Sequence, residues 1–320
     1  MISTPEPSEP RASETRGRHT GHANFNNLAV VVQSWYVAGR SESLPRGKVR
    51  SFDLGNRRIA VYRDMAGALH ALDARCPHLG ADLGHGRVVG NQVECAFHGW
   101  RFGPDGNCSL APGLATVPQR RIRAYPTEER WGLVWIFNGP RPLFALPDVP
   151  PGERLWRLRP PSQQIHCHPH IVIANGLDVP HFEALHNMRT SAPPRLVVEE
   201  PYWVTLELRG KPRSRRLQYV TGSRYADIVA KFTTIGSNLA WLTVREPVRF
   251  HMLFSGRPTP DGGCHTQTVL FVPVRSPVRM FQAVAVIYTI LRDDRRILDH
   301  LAFSPSFTEN DVGLRTFARI

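Results

Sequence analysis

From Leu28 to about Trp135 the chain is a series of short apolar runs cut by turn residues. The segments LAVVVQSWYVAG, RIAVYRD, ALHALDA, RVVGNQVECAF and GLVWIFNG concentrate β-branched and aromatic residues, and Gly, Asp or Asn closes the last four, which predicts short strands of a small antiparallel β domain. A proline-rich stretch, residues 139–161, follows as a connection, because proline removes backbone donors and disfavours helix before it. Beyond it QIHCHPHIVI has the alternation of a strand, and DVPHFEALHNM has the pattern of a helix starting near Asp178. Four further strand segments lie between 195 and 274, with a hairpin turn at PTPDGG, and 277–301 reads as a helix. Together these predict an α+β chain: a tail at 1–26, an all-β domain at 27–150, and an antiparallel sheet with helices over it at 151–320.

Composition narrows the setting. The first 26 residues are rich in Pro, Ser and balanced charge and lack the apolar core of a signal peptide, so they read as a disordered tail. No run is long and apolar enough to span a bilayer. Five cysteines among 320 residues are too few and too scattered for a disulfide framework, which points to a reducing, cytoplasmic compartment. The net charge of +13 suits an acidic or anionic partner. Its densest patch, RGKPRSRR at 209–216, reads as a solvated loop between strands, and without interleaved aromatics it does not suggest nucleic-acid binding.

The most informative segment is CPHLGADLGHGRVVGNQVECAFHGWRF, residues 76–102. Cys76-x-His78 and Cys95-x-x-His98 put one thiolate and one imidazole on each of two turns. Structural zinc sites favour paired cysteines two to four residues apart, which makes Cys-x-His a poor zinc pattern, whereas a [2Fe–2S] cluster with two Cys on one iron and two His on the other takes this donor set. The segment resembles the cluster-binding region of Rieske proteins, and within them the oxygenase type. Ala81 and Phe97 stand where the respiratory type has its disulfide cysteines, and Trp100 stands where that type has a hydroxyl donor, which implies a lower cluster potential.

A second constellation lies at 175–186, NGLDVPHFEALH. Two histidines and one carboxylate on one face of Fe(II) leave positions for O2. His181 and His186 are five residues apart, so an ideal helix would set them about 140° apart, and a shared metal requires the helix to end or widen between them. Rieske oxygenases carry this pattern downstream of the cluster, and the resemblance implies a family member from about residue 30 to 300. It implies iron ligands His181, His186 and an acid before a short apolar helical run, for which Asp294 in Asp294-Arg295-Arg296-Ile297-Leu298 fits best and Asp293 is the alternative. It implies for Asp178 a bridge from an iron-ligating histidine to a cluster histidine (His78 or His98) of the next subunit in a head-to-tail homotrimer. Asn175 is placed in the iron pocket or at the helix entry. The length and the Asn-Gly-Leu-Asp wording resemble the aromatic-ring-hydroxylating and O-demethylating monooxygenases of the vanillate and dicamba type, and SWYVAGRSESL is similar to the opening strand of aminopyrrolnitrin oxygenase.

These likenesses imply an N-terminal Rieske domain followed by a helix-grip catalytic domain. They imply NAD(P)H-derived electrons delivered by a separate reductase, with or without a ferredoxin, since the chain has no nicotinamide or flavin motif. The expected outcome is monooxygenation of an apolar cyclic molecule, in a pocket lined by Trp203, Tyr219, Trp241, Phe250, Phe254 and Phe271 or with those residues in the core. A Rieske electron carrier without catalysis and a zinc-stabilised binding protein are the competing readings. His166, His168 and His170 would share one face of the strand read from QIHCHPHIVI, a possible third metal row.

Overall fold

The computed structural model describes residue 27 and residues 30–319 apart from 225, 275, 276 and 305. The expected tail at 1–26 lies outside the described residues. Eleven strands precede residue 138: β1 (Trp35–Arg40), β2 (Lys48–Leu54), β3 (Arg57–Arg63), β4 (Leu69–Asp73), β5 (Arg87–Val89), β6 (Gln92–Glu94), β7 (Arg101–Phe102), β8 (Cys108–Leu110), β9 (Ala124–Tyr125), β10 (Thr127–Arg130) and β11 (Leu133–Phe137). They form three antiparallel sheets, ordered β1-β11-β10, β2-β3-β4-β9 and β5-β6-β7-β8. The period of two along β3 decides how these stack. Ile59 and Val61 face a core with Tyr36, Val134 and Ile136, while Ala60 and Tyr62 face a second core with Leu83, Val93, Phe102, Cys76 and Cys95.

Nine later strands form one antiparallel sheet: β12 (Leu155–Leu158), β13 (Gln163–Ile165), β14 (Met188–Thr190), β15 (Arg195–Glu200), β16 (Trp203–Pro212), β17 (Ile228–Ile235), β18 (Leu239–Glu246), β19 (Phe250–Pro258) and β20 (Cys264–Pro273). Five helices accompany them: α1 (Pro169–Ala174), α2 (Val179–Ala184), α3 (Arg215–Thr221), α4 (Pro277–Leu298) and α5 (Val312–Phe317). Both faces of this sheet are apolar, as burial on both sides demands. Leu239, Leu253, Val269 and Phe271 turn towards Trp35, Trp131, Trp135 and Phe137 of the first sheets. Their neighbours Leu242, Met252, Leu270 and Val272 turn towards Ala283 and Ile287 of α4. The buried Asn238 ties the two halves further, donating from Nδ2 to the Trp35 carbonyl at 2.6 Å. The expected α+β architecture with antiparallel sheets is therefore what the chain adopts.

Several local expectations are corrected. QIHCHPHIVI is not one strand: β13 stops at Ile165 and Pro169 begins α1. Proline is pre-set for a first helical turn, and the His168 side chain caps it by accepting from the His170 N–H. RVVGNQVECAF is a hairpin, β5 and β6, turning at Gly90-Asn91. RGKPRSRR is not a loop, since β16 runs to Pro212 and α3 begins at Arg215.

Candidate metal centres

The two Cys/His turns are built alike. The carbonyl of Cys76 accepts from the Gly80 N–H at 2.8 Å, and that of Cys95 accepts from Gly99 at 3.0 Å. The Cys76 N–H donates to the Ala81 carbonyl and the Cys95 N–H to the Trp100 carbonyl. Each loop thus closes on a glycine with positive φ, +78° at Gly80 and +69° at Gly99, a conformation glycine takes at least cost. Both thiols are buried and both imidazoles are exposed. His78 stacks flat on Trp100 with ring centres 4.6 Å apart, and the His78 and His98 rings lie edge to face at 4.6 Å. Burial pushes the Cys76 thiol up to about 11, and the nearby Cys95 adds to it. The Cys76 proton is hard to remove unless a metal takes its place.

A single zinc would need all four donors within about 4 Å of one another. Among the described residues only His181, His186 and Asp294 converge that closely, so the Cys/His quartet does not close on one ion. Two interior sulfurs and two surface nitrogens suit a [2Fe–2S] cluster with its irons unequally ligated.

The second centre begins at Asp178, whose Oδ1 caps α2 by accepting from the His181 N–H at 3.2 Å. The helix stops at Ala184, and Asn187 takes a left-handed φ of +49° before β14. The five-residue interval is thereby broken between the histidines. His181 Nε2 and His186 Nε2 are 2.9 Å apart, and Asp294 Oδ1, from the inner face of α4, lies 3.0 Å and 2.9 Å from them. Asp294 Oδ1 is buried without a well-aligned hydrogen bond. Three donors on the corners of a triangle about 3 Å on edge match one face of an octahedron with metal bonds of about 2.1 Å. The residues present therefore fit an iron ion. Burial alone would raise the Asp294 carboxyl, but His181 and His186 more than reverse this and hold it below the usual carboxylate range. Asp178 is displaced the other way, raised by burial. Asn175 Nδ2 stands 3.2 Å from His181 Nε2. Asp293, the alternative acid, pairs instead with Arg292.

His181 and Asp294 form part of the wall of a cavity of about 110 Å3, lined also by Ile173, Phe182, Phe232, Met252, Phe254 and Leu291 among others. That is smaller than the several hundred Å3 typical of a ligand site, so a larger guest must displace side chains of the wall. Of the six aromatics considered from sequence, Phe254 lines it. Trp203, Trp241 and Phe271 belong to the tryptophan-rich core on the other face of the sheet, Phe250 lies in the core under α4, and Tyr219 is exposed. Phe232 and the α1 residues were not singled out; the alternation of β17 carried the signal for the first, and the strand reading of α1 hid the second. The histidine row is broken: His166 is exposed and pairs with Asp299 at 3.4 Å, while His168 and His170 are buried with ring centres 4.4 Å apart, and burial pushes the His168 pKa down to about 4.

Residues 34–126 match the Rieske [2Fe-2S] domain. The chain is 36% identical over 162 residues to a 4beta-methylsterol monooxygenase of Methylococcus capsulatus, covering 48% of this chain and 44% of the relative. It is 38% identical over 134 residues to the aminopyrrolnitrin oxygenase of Pseudomonas fluorescens, covering 39% and 37%. The chain thus spans less than half the length of these curated relatives. Its fold is that of a dicamba monooxygenase crystal structure with dicamba bound, at a TM-score of 0.66 and 19% identity over 91% of this chain and 96% of that one. Among the described residues no helix is long and apolar enough to cross a membrane. A Rieske domain by itself is also found in electron carriers; here the alignments to relatives named as oxygenases run longer than that domain, and the chain is one that contains a Rieske [2Fe-2S] domain and shares its fold with a dicamba monooxygenase over 91% of its length.

Proposed function

We propose that this chain is the terminal oxygenase component of a system fed by NAD(P)H through a reductase, with or without a ferredoxin, and that it inserts one oxygen atom of O2 into a largely apolar cyclic molecule by hydroxylation, dealkylation or N-oxidation. The observation that carries this is the His181, His186 and Asp294 triangle, two of whose members line an apolar cavity, in a chain with a Rieske domain. The activities of the similar proteins, a methylsterol monooxygenase and an aminopyrrolnitrin oxygenase, support a cyclic substrate. When bound, the cluster supplies electrons one at a time and the iron supplies O2 activation.

The chain's own residues do the rest. Cys76 and Cys95 would hold the cluster from the interior, and His78 and His98 would hold it from the exposed side of the two turns. His181, His186 and Asp294 would hold the iron, and Asn175 keeps the His181 ring in place. Asp178 bridges His181 to His78 or His98 of the next subunit in a head-to-tail homotrimer, where a carboxylate between two imidazoles fixes both tautomers. Phe182, Phe232 and Phe254 exclude water and orient an apolar ring.

The test is reductase-driven O2 consumption across a panel of sterol-like and single-ring aromatic compounds. In His181→Ala, iron should fall from about three to about two atoms per chain while the visible and EPR signature of the cluster stays, and substrate-stimulated O2 consumption should vanish. A variant that keeps full function would instead favour the electron-carrier reading. Asp178→Asn should keep all metal yet slow single-turnover product formation by about a hundredfold.

A further inference from the structure

Helix α4 is apolar on the side where a surface helix is normally polar. Its inner face, with Ala283, Ile287, Asp294 and Leu298, covers the cavity and the core beneath the sheet. Val278, Phe281, Val284 and Tyr288 follow one another at three- and four-residue intervals on the opposite side, one stripe of the helix. Phe281 is 73% exposed and Tyr288 65% exposed, so the rings stand out from the surface. Beside the first turn of α4 is a hollow of about 410 Å3 lined by Arg154, Arg245, Arg249 and Arg279. Arg249 pairs with Glu153, but among the described residues no carboxylate pairs with Arg154, Arg245 or Arg279, all of them exposed.

We propose that the outer face of α4 and the arginine hollow at its head form a docking surface for an anionic lipid bilayer. Protruding Phe, Val and Tyr beside unpaired arginines are the chemistry of the membrane interface, where the rings enter the acyl boundary and guanidinium groups meet lipid phosphates. The charge of the whole chain, +13, has the matching sign. The N-terminal 26 residues have Met1, Ile2 and Phe25 as their only large apolar side chains and are ill suited to cover the stripe. A second copy laid antiparallel on this face would set the hollow against the far end of α4, where Arg292 and Arg295 pair with Asp293 and Asp299 and Arg296 adds a further positive charge. The docked helix would be one wall of the cavity, so an apolar compound dissolved in the bilayer would meet the protein beside it. This surface does not rest on the reading of the metal centre.

The test is co-sedimentation of the full-length, cluster-loaded protein with vesicles of phosphatidylcholine, with and without phosphatidylglycerol. The protein should bind the mixed vesicles and not the neutral ones. Phe281→Glu with Tyr288→Glu, and separately Arg154→Glu with Arg279→Glu, should each weaken binding about tenfold or more. Phe281→Ser with Tyr288→Ser should give a smaller loss, with melting temperature and light-scattering mass unchanged. Absence of vesicle binding, equal binding by the variants, or a drop in mass in the Phe281/Tyr288 variants (which would make this face a contact between copies) would each overturn the proposal.

Discussion

The two cluster turns use the same backbone but tolerate a methyl group differently. A Cβ on Gly80 would meet nothing within 4 Å, whereas one on Gly99 would press on Pro112 Cγ at 3.2 Å. Gly80→Ala bears only the left-handed backbone penalty, about 1 kcal/mol. Gly99→Ala has to move the Pro112 loop as well and should lose about 2–3 kcal/mol and part of its cluster occupancy. Denaturant titration followed by cluster absorbance will rank the two, and equal losses would mean that the Pro112 contact carries no weight. The two Cys/His pairs were legible at this scale because their members are only two and three residues apart, a geometry that a short motif fixes.

Elements were legible where one local signal acted alone. The Asp178 cap and the valines and aromatics of β16 to β20 stand out in the sequence. α1 was hidden because Ile165, Cys167 and the histidines alternate like a strand while Pro169 favours a helix start, and the proline prevails. The pocket aromatics were misassigned because sequence does not say which parity of a doubly buried strand faces which side. Asp82 shows what holds an element in place. It accepts from Ser51 Oγ at 2.5 Å, from the Gly84 N–H at 2.8 Å and from Arg58 Nε at 2.9 Å, tying the first cluster turn to β2 and β3. Burial alone would raise its carboxyl, but Ser51, Arg58 and Gly84 hold it below the usual range. A depressed carboxylate stabilises fully above its unfolded value near 3.9 and loses that contribution as pH falls through the folded value. Asp82→Asn should therefore cost about 1–3 kcal/mol at neutral pH, with a gap to the parent that closes below about pH 4. Urea midpoints at several pH values measure this, and a gap that persists unchanged at pH 3 counts against it.

At the scale of the whole molecule, the nine-stranded sheet is shared. Its odd-numbered residues in β18 to β20 complete the core of Trp35, Trp131 and Trp135, so the cluster-bearing sheets do not stand on a surface of their own. Trp135, fully buried, should lose about 3–5 kcal/mol on conversion to Ala, and cluster absorbance and far-UV circular dichroism should then melt together at a lower temperature. Separate transitions would show two independent units. The triad spans a different distance along the chain from the quartet. The cluster donors all fall within residues 76–98, while Asp294 follows His186 by more than a hundred residues, with strands β14 to β20 in between. In the order of synthesis, the two Cys/His turns leave the ribosome long before Asp294, so on the proposed assignment a nascent chain would meet its iron–sulfur donor while the second metal had only two of its three ligands.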